Sequence, residues 1–233
     1  MGSLPDYSLP PQQVTLSGFL FDMDGTLIDS TPAVIKHWTT IGNELGVDPQ
    51  VILQTSHGRR SIDVLQIIAP ERANWESAVE IPGARALLDA LNPAPKGGSG
   101  SESAASPWAI VTSGTRPLVE GWLRRLALLY PPHLITAESV AVGKPHPAGY
   151  LLGLAALGLQ DSAGEVLVVE DSPAGIRAGK AAGCRVLGLV TSHTADEVLR
   201  AEPDWVVRDL ESVRVVAREG GRVTLEIANG LRG

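Results

Sequence analysis

The sequence predicts an α/β protein in which a buried parallel sheet is covered by helices on both faces. Short apolar runs rich in Val, Leu and Ile recur along the chain and alternate with amphipathic stretches, a pattern typical of parallel sheets. In such sheets ligands bind at the carboxyl ends of the strands, so the residues after each run are the candidate site. The predicted strands are residues 18–21, 108–111, 134–136, 166–169, 186–190 and 205–207.

Helices are predicted between these strands, and a β-hairpin is predicted at 213–227, where Gly220-Gly221 separates two alternating runs. Residues 31–81 are predicted to be helical, without a strand, and to form a small lobe inserted after the first strand. The Gly- and Ser-rich segment 96–106 is typical of a flexible linker. The predicted core is therefore 1–30 with 82–233, and the lobe is 31–81. The predicted helices cover 85–91, 118–128, 149–157 and 173–182.

Composition restricts the classes of partner. The 233 residues are 44% hydrophobic, which suffices for one substantial core and a small appended unit. The formal net charge is −7 and no block of Lys and Arg occurs, which argues against nucleic acid and anionic membranes. An anionic substrate would have to be met by a few placed cations and a metal. No obligate protein partner is evident.

The single cysteine, Cys184, excludes an intrachain disulfide and favours a reducing compartment. Its position between a helical stretch and an apolar run predicts a small, buried and unreactive side chain. The first residues lack the basic and apolar regions of a signal peptide, and no segment reaches the ~20 apolar residues of a spanning helix. We therefore expect a cytoplasmic protein.

Two acidic pairs follow predicted strands. Asp22 and Asp24 close the first strand, and Glu170 and Asp171 close the fourth. Grouped carboxylates are costly to bury without a cation, and Mg²⁺ prefers oxygen ligands. One carboxylate of the first pair could then face both metal and phosphorus while the other lies beside the leaving oxygen. Asp171 could complete the metal shell, with Glu170 as a ligand or as a partner of a ligand. Each pair alone could also serve as a turn or helix cap.

The other two strand ends carry groups that bind anions. The segment Thr112-Ser113-Gly114 offers hydroxyl and backbone N–H donors to a phosphate, although it also fits an ordinary helix N-cap. Lys144 stands between Gly143 and a Pro-His-Pro frame, where it could neutralise a nucleophile and a transferring phosphoryl group. A surface turn is the alternative. His146 is interpreted as part of the frame, because no zinc-type spacing surrounds it.

These four motifs, in this order, resemble the haloacid dehalogenase (HAD) superfamily. Within it, the chain is similar to the fungal glycerol-3-phosphatase and 2-deoxyglucose-6-phosphatase group at residues 112–116, 143–147, 178–184 and 56–60. The resemblance covers nearly the whole chain. It implies a Rossmann-like core with a helical cap, a cytoplasmic Mg²⁺-dependent phosphatase and a small phosphorylated metabolite such as glycerol 3-phosphate as substrate. The implied catalytic residues are Asp22, Asp24 and Lys144, with an aspartyl-phosphate formed on Asp22.

The resemblance also implies the remaining roles. Asp24 would protonate the leaving alkoxide and then activate water, while its backbone carbonyl joins a metal shell that also contains Asp22, Asp171 and Glu170. Phosphate would be bound by Thr112, Ser113, Gly114 and Lys144. Between Trp75 and Ile81 the chain is shorter than the family pattern, so the cap is expected to lack its last helix.

Substrate contacts are expected from the cap. His57, Arg59 and Arg60 follow one another around a glycine, and a guanidinium there could reach substrate hydroxyls or a second anionic group. A solvated helix start with surface arginines is the alternative.

Three other functions remain open at this stage. A 2-deoxyglucose-6-phosphate or other sugar-phosphate phosphatase would use the same site, and so would a phosphosugar mutase. A non-catalytic binding protein of the same fold would show no turnover. Dehalogenation is disfavoured, since it requires neither Mg²⁺ nor the second aspartate.

Overall fold

A six-stranded parallel sheet lies at the centre of the protein. The computed structural model describes residues 5–30, 78–92 and 107–232. Within these ranges the strands, in chain order, are β1 (Gln12–Leu16), β2 (Gly18–Phe21), β3 (Ile28–Asp29), β4 (Val79–Glu80), β5 (Trp108–Val111), β6 (His133–Ile135), β7 (Val166–Glu170), β8 (Arg185–Leu189), β9 (Trp205–Val207), β10 (Val213–Glu219) and β11 (Arg222–Ile227). The order in the central sheet is β6-β5-β2-β7-β8-β9, with every neighbouring pair parallel.

Five α-helices accompany these strands in the described ranges. They are α1 (Ala84–Leu91), α2 (Arg116–Arg125), α3 (Ala148–Leu157), α4 (Pro173–Ala181) and α5 (Ala195–Leu199). Each predicted apolar run forms one strand of the central sheet, with bounds that agree within one residue, so the predicted parallel α/β architecture is confirmed. Helix α2 ends earlier than predicted, and Ala127 then takes a left-handed φ of 48°. Helix α5 was not predicted.

The two faces of the sheet bury separate apolar clusters. In β2, Phe19 and Phe21 pack on the side of α1 and α2, whereas Leu20 packs on the side of α3 and α4. Alternation along a fully buried strand supplies both cores at once. The strand ends are thereby held in a rigid frame, and this frame positions the side chains that follow them.

A second sheet, antiparallel with the order β1-β11-β10, packs on the cluster that contains Phe19. The predicted hairpin is present, and both of its turn glycines have positive φ, 55° at Gly220 and 78° at Gly221. The strand β1 was not predicted. Its period-two signal consists only of Val14 and Leu16, which is too short a pattern to distinguish from a loop.

The prediction that residues 31–81 contain no strand is wrong. The strand β4 (Val79–Glu80) pairs antiparallel with β3 (Ile28–Asp29), so a two-residue ribbon joins the described residues on either side of the insertion. A two-residue strand is too short to produce a periodic signal. The rest of the predicted lobe and the predicted linker 96–106 lie outside the described residues, and the proposed domain bounds stay a prediction.

Two further local expectations can be compared with the structure. Cys184 lies between α4 and β8 with 4% of its surface exposed, and burial raises the pKa of its thiol to about 12, as expected for an unreactive side chain. In the ranges that the structure describes, no helix combines the length and the hydropathy needed to cross a membrane.

We predict that Gly83→Ala destabilises the fold. Gly83 has φ of 85°, and a Cβ there would lie 2.3 Å from the backbone carbon of Leu210. Strain at positive φ and this overlap with backbone should together lower the free energy of unfolding by about 1–3 kcal/mol. Gly158 is the matched control, since its φ is 69° and a Cβ would meet nothing within 4 Å. Urea unfolding should show the larger loss for Gly83→Ala, and equal losses would contradict the backbone overlap.

Candidate active site

The carboxyl ends of β5, β2 and β7 lie side by side and carry the predicted site residues. Asp22 directly follows β2, and its N–H donates to the carbonyl of Val169 in β7 at 3.0 Å. Thr112 directly follows β5, and its N–H donates to the carbonyl of Ile135 in β6 at 2.9 Å. These backbone hydrogen bonds continue the sheet by one residue after each strand. They therefore fix the backbone position from which the side chain of Asp22 or Thr112 projects.

Lys144 joins three of these strand ends. Its Nζ donates to a carboxylate oxygen of Asp22, to Oε1 of Glu170 at 2.6 Å and to the carbonyl oxygen of Val111 at 3.1 Å. Its side chain is 11% exposed, and its Nζ lies 5.1 Å from the ring centroid of Tyr150. The ammonium is thus held in place by acceptors on three neighbouring strands.

Glu170 is saturated by donors from the protein. Its Oε1 accepts from Lys144 at 2.6 Å and from the Tyr150 hydroxyl at 2.8 Å. Its Oε2 accepts from the backbone N–H groups of Asp171 and Ser172 and from the Ser172 hydroxyl, at 3.0–3.1 Å. Two or more donors on each oxygen occupy the lone pairs that a metal would need. The hydrogen bonds therefore favour Glu170 as the partner of Lys144 over the expected role of direct metal ligand.

Asp171 packs against the turn that follows β2. Its Oδ1 accepts from the Thr26 hydroxyl at 3.2 Å, and a Cβ at Gly25 would lie 2.3 Å from its Oδ2. Gly25 also has φ of 79°, so glycine is favoured here by conformation and by space. The close approach brings the turn that contains Asp24 onto the second acidic pair.

Asp24 is half-buried in this turn and its carboxyl accepts a hydrogen bond from the Ser30 side chain. Burial raises the pKa of Asp24 to about 6, against smaller opposing effects of Ser30 and of the positive charge on Lys144. A carboxyl with this pKa is present in both protonation states near neutral pH, as a group that gives and then takes a proton requires.

The loop after β5 offers hydroxyl donors. Thr112 is 6% exposed, and its Oγ1 accepts from the N–H of Gly114 at 2.9 Å, which leaves its hydroxyl proton available to a ligand. The carbonyl of Gly114 accepts from the N–H of Ala137 at 3.0 Å. Because the N–H of Gly114 already donates to Oγ1 of Thr112, the hydroxyl of Thr112 is the better candidate for a phosphate donor than the N–H of Gly114.

The site contains more negative than positive charge. Burial raises the pKa of Asp22 well above its usual value, and raises that of Asp171 to about 7 with a further contribution from the charge on Glu170. For Glu170, burial also acts upward, but the charge and hydrogen bond of Lys144 hold its pKa below the usual value. Burial alone would lower the pKa of Lys144, yet Asp22 and Glu170 keep it above its usual value, so the ammonium stays charged.

These residues fit a divalent cation. Oxygens of Asp22, Glu170 and Asp171 lie within 4.8 Å of one another, and all three residues are buried. Lys144 balances one of the three charges, and hard cations such as Mg²⁺ bind carboxylate oxygens. Since the oxygens of Glu170 are occupied by donors, Asp22 and Asp171 are the side chains best suited to hold the ion.

The structure thus brings Asp22, Lys144, Glu170 and Asp171 into direct contact or close proximity, with Asp24 and the loop 112–114 at the adjoining strand ends. His57, Arg59 and Arg60 lie outside the described residues, so their assignment as substrate contacts stays a prediction. His146 is exposed, and its Nδ1 accepts from the N–H of Ala148 at 3.2 Å, which agrees with a framing role.

Sequence reasoning missed several residues around the site. Thr26 belongs to a motif that was recognised, but it received no role. Tyr150 lies inside α3, where an aromatic residue is indistinguishable from core. Thr191 and Ser192 directly follow the predicted strand 186–190, and this position at a strand end is the signal that could have identified them.

A parallel α/β sheet that holds a lysine between two acidic pairs at its carboxyl edge defines the class of α/β proteins with a carboxylate-rich site suited to a divalent cation. The family described as haloacid dehalogenase-like hydrolase matches residues 19–189, more than half of the chain. The protein therefore belongs to this family, and the predicted resemblance is confirmed.

Two yeast phosphatases are similar to this chain along most of its length. The chain is 38% identical over 226 residues to glycerol-1-phosphate phosphohydrolase 2 of Saccharomyces cerevisiae, covering 88% of this chain and 87% of the relative. It is 33% identical to 2-deoxyglucose-6-phosphate phosphatase 1 of the same yeast, covering 91% of this chain and 95% of that protein. A HAD family hydrolase from Deinococcus radiodurans, solved with bound phosphate and sodium, superposes with a TM-score of 0.65 at 25% identity, covering 84% and 92%. These relatives support phosphatase activity for this chain.

Proposed function

We propose that the protein is a Mg²⁺-dependent phosphatase that hydrolyses the phosphomonoester of a small polyol such as glycerol phosphate through a phosphoryl group carried on Asp22. The observation that carries the proposal is the contact between the Lys144 ammonium and the Asp22 carboxylate, within reach of Asp171. The ammonium orients the nucleophile and would neutralise charge on the transferring group.

In the first step an oxygen of Asp22 attacks phosphorus, and the bond from phosphorus to the substrate oxygen breaks. Asp24, in its protonated form, gives its proton to that leaving oxygen, so an alcohol departs. In the second step Asp24 accepts a proton from water, the water oxygen attacks phosphorus, and the bond to Asp22 breaks. Inorganic phosphate is released and both carboxyl groups return to their starting states.

The metal would be held by Asp22, Asp171 and the backbone carbonyl of Asp24. When bound, Mg²⁺ supplies positive charge to the transferring phosphoryl group. In this proposal Glu170 does not ligate the ion, and instead holds Lys144. Thr112, with Ser113 and Gly114, would donate to the phosphoryl oxygens.

The glycerol phosphate assignment rests on the yeast relative that is 38% identical and named for that substrate. The second yeast relative favours 2-deoxyglucose 6-phosphate as the alternative, at lower identity. The choice between them would be made by the segment that contains His57, Arg59 and Arg60, because one hydroxyl or methylene changes discrimination only modestly unless buried polar groups read it.

Phosphate release from a panel of polyol and sugar phosphates tests the proposal. We expect the highest kcat/KM for glycerol phosphate with Mg²⁺. Removal of Mg²⁺ by EDTA should reduce release by about 10²-fold or more, since the ion contributes several kcal/mol of charge stabilisation. Restoration of activity by excess Mg²⁺ is the control for damage by the chelator. Undiminished release in EDTA would exclude the metal-dependent mechanism.

The same panel separates hydrolysis from phosphoryl transfer between sugars. A mutase requires a bisphosphate activator and returns phosphate to sugar, so it would release little inorganic phosphate. A folded protein with no turnover on any member of the panel would instead support the non-catalytic binding protein.

A further inference from the structure

A fifth strand end reaches the candidate metal site. The loop that follows β8 contains Thr191, Ser192 and His193, and it lies across the sheet edge from the turn that follows β2. The hydroxyl of Thr191 donates to the carbonyl oxygen of Gly25, and the hydroxyl of Ser192 donates to Oδ2 of Asp171.

Asp171 is therefore fixed at both carboxylate oxygens by hydroxyl groups from different elements. Thr26 donates to Oδ1 at 3.2 Å from the turn after β2, and Ser192 donates to Oδ2 from the loop after β8. Each carboxylate oxygen has two lone pairs, so one hydroxyl on each leaves a lone pair for a cation. This differs from the neighbouring Glu170, whose oxygens each accept from two or more donors.

The loop also holds the backbone that packs against Asp171. Gly25 approaches so closely that a Cβ would overlap Oδ2 of Asp171, and the carbonyl of the same Gly25 is bound by Thr191. Two successive residues of one loop thus hold a carboxylate and the turn beside it. Movement of this loop would displace both together.

His193 completes the arrangement. Its Nδ1 lies 2.7 Å from Oγ of Ser192 and 4.0 Å from Oδ2 of Asp171. Because Ser192 has one hydroxyl proton and gives it to Asp171, its Oγ can only accept from His193, so Nδ1 carries a proton. The imidazole therefore restrains the rotation of the serine hydroxyl and keeps its proton directed at the carboxylate.

We propose that Ser192 is a positioning residue for the metal, which holds Asp171 in the orientation that binds the divalent cation, with Thr191 and His193 supporting it. This inference rests on the proposed function, which makes Asp171 a metal ligand. Residues that orient ligands in this way change metal affinity by about 10- to 100-fold when they are replaced.

The test is Mg²⁺ binding to the purified protein by isothermal titration calorimetry, with Mn²⁺ electron paramagnetic resonance as a second reading that is independent of turnover. We expect Ser192→Ala to weaken Mg²⁺ binding by about 10-fold or more, with the same shift in the Mg²⁺ concentration that gives half-maximal phosphate release. Ser192→Thr keeps the hydroxyl and should restore the affinity. Thr194→Ala is the matched control, because its hydroxyl donates to Glu197, away from the site.

The outcomes distinguish this inference from the proposed function. If Asp171→Asn abolishes Mg²⁺ binding while Ser192→Ala binds as tightly as the wild type, the role of Ser192 is excluded and the metal site stands. If Asp171→Asn binds Mg²⁺ like the wild type, the metal assignment itself is wrong. A thermal melt of each variant without metal controls for misfolding. Weak binding by Ser192→Thr and Thr194→Ala alike would show that the loop as a whole maintains the site, and would overturn the specific role of the Ser192 hydroxyl.

Discussion

Replacement of Asp22 by Asn is expected to reduce phosphate release by about 10⁴-fold or more, as for other enzymes that lose their nucleophile. The amide has nearly the shape of the carboxylate but lacks its negative charge, so its remaining oxygen is a much weaker nucleophile toward phosphorus. Lys144 would keep its acceptors on Glu170 and Val111, so the surrounding geometry should survive the change. The loss would then reflect chemistry and not unfolding.

The measurement has two parts, steady-state phosphate release and mass spectrometry of acid-quenched protein during turnover. The wild type should gain the mass of one phosphoryl group on the peptide that contains Asp22, and Asp22→Asn should not. Asp161→Asn is the control, because Asp161 is exposed and lies in the 3₁₀ segment Gln160–Glu165. Equal release by Asp22→Asn and the wild type would remove the nucleophile assignment.

The fold and the strand-end residues could be predicted because one physical pattern specifies both. A strand buried on both faces is a continuous apolar run, and a carboxylate placed directly after it is conspicuous. Asp22 after 18–21 and Glu170 after 166–169 are examples. The parallel order then places the ends of neighbouring strands at one edge without any further information.

What the sequence could not supply is the pairing between distant side chains. The donors around Glu170 come from a loop and from α3, and only coordinates show that Tyr150 and Lys144 meet on one of its oxygens. The sequence left open whether Glu170 ligates the metal or supports a ligand. The number of donors on its oxygens favours the supporting role. The ribbon of β3 and β4 was missed for a different reason, since two residues carry no period.

The protonation state of Asp24 leads to the second large effect. Its pKa of about 6 is set mainly by burial, so the proton needed by the leaving oxygen is present below that pH and is lost as the pH rises through it. Asp24→Asn should therefore reduce kcat/KM for an alkyl phosphate by about 10²–10⁴-fold. With 4-nitrophenyl phosphate, whose leaving group needs no proton, the loss should be much smaller. A loss of the same size for both substrates would contradict the role of Asp24 as an acid.

The pH profile provides an independent check through Ser30. The hydrogen bond from Ser30 lowers the pKa of Asp24 against the effect of burial, so Ser30→Ala should raise that pKa. The decline of kcat/KM at high pH would then begin at a higher pH than in the wild type. The substrate phosphate titrates near pH ~6 as well, but that titration is common to both proteins and cancels in the ratio of their profiles. If kcat/KM of Ser30→Ala divided by that of the wild type does not change with pH, Asp24 is not the group that titrates in the free enzyme. If this ratio rises with pH, the decline of kcat/KM at high pH is assigned to Asp24.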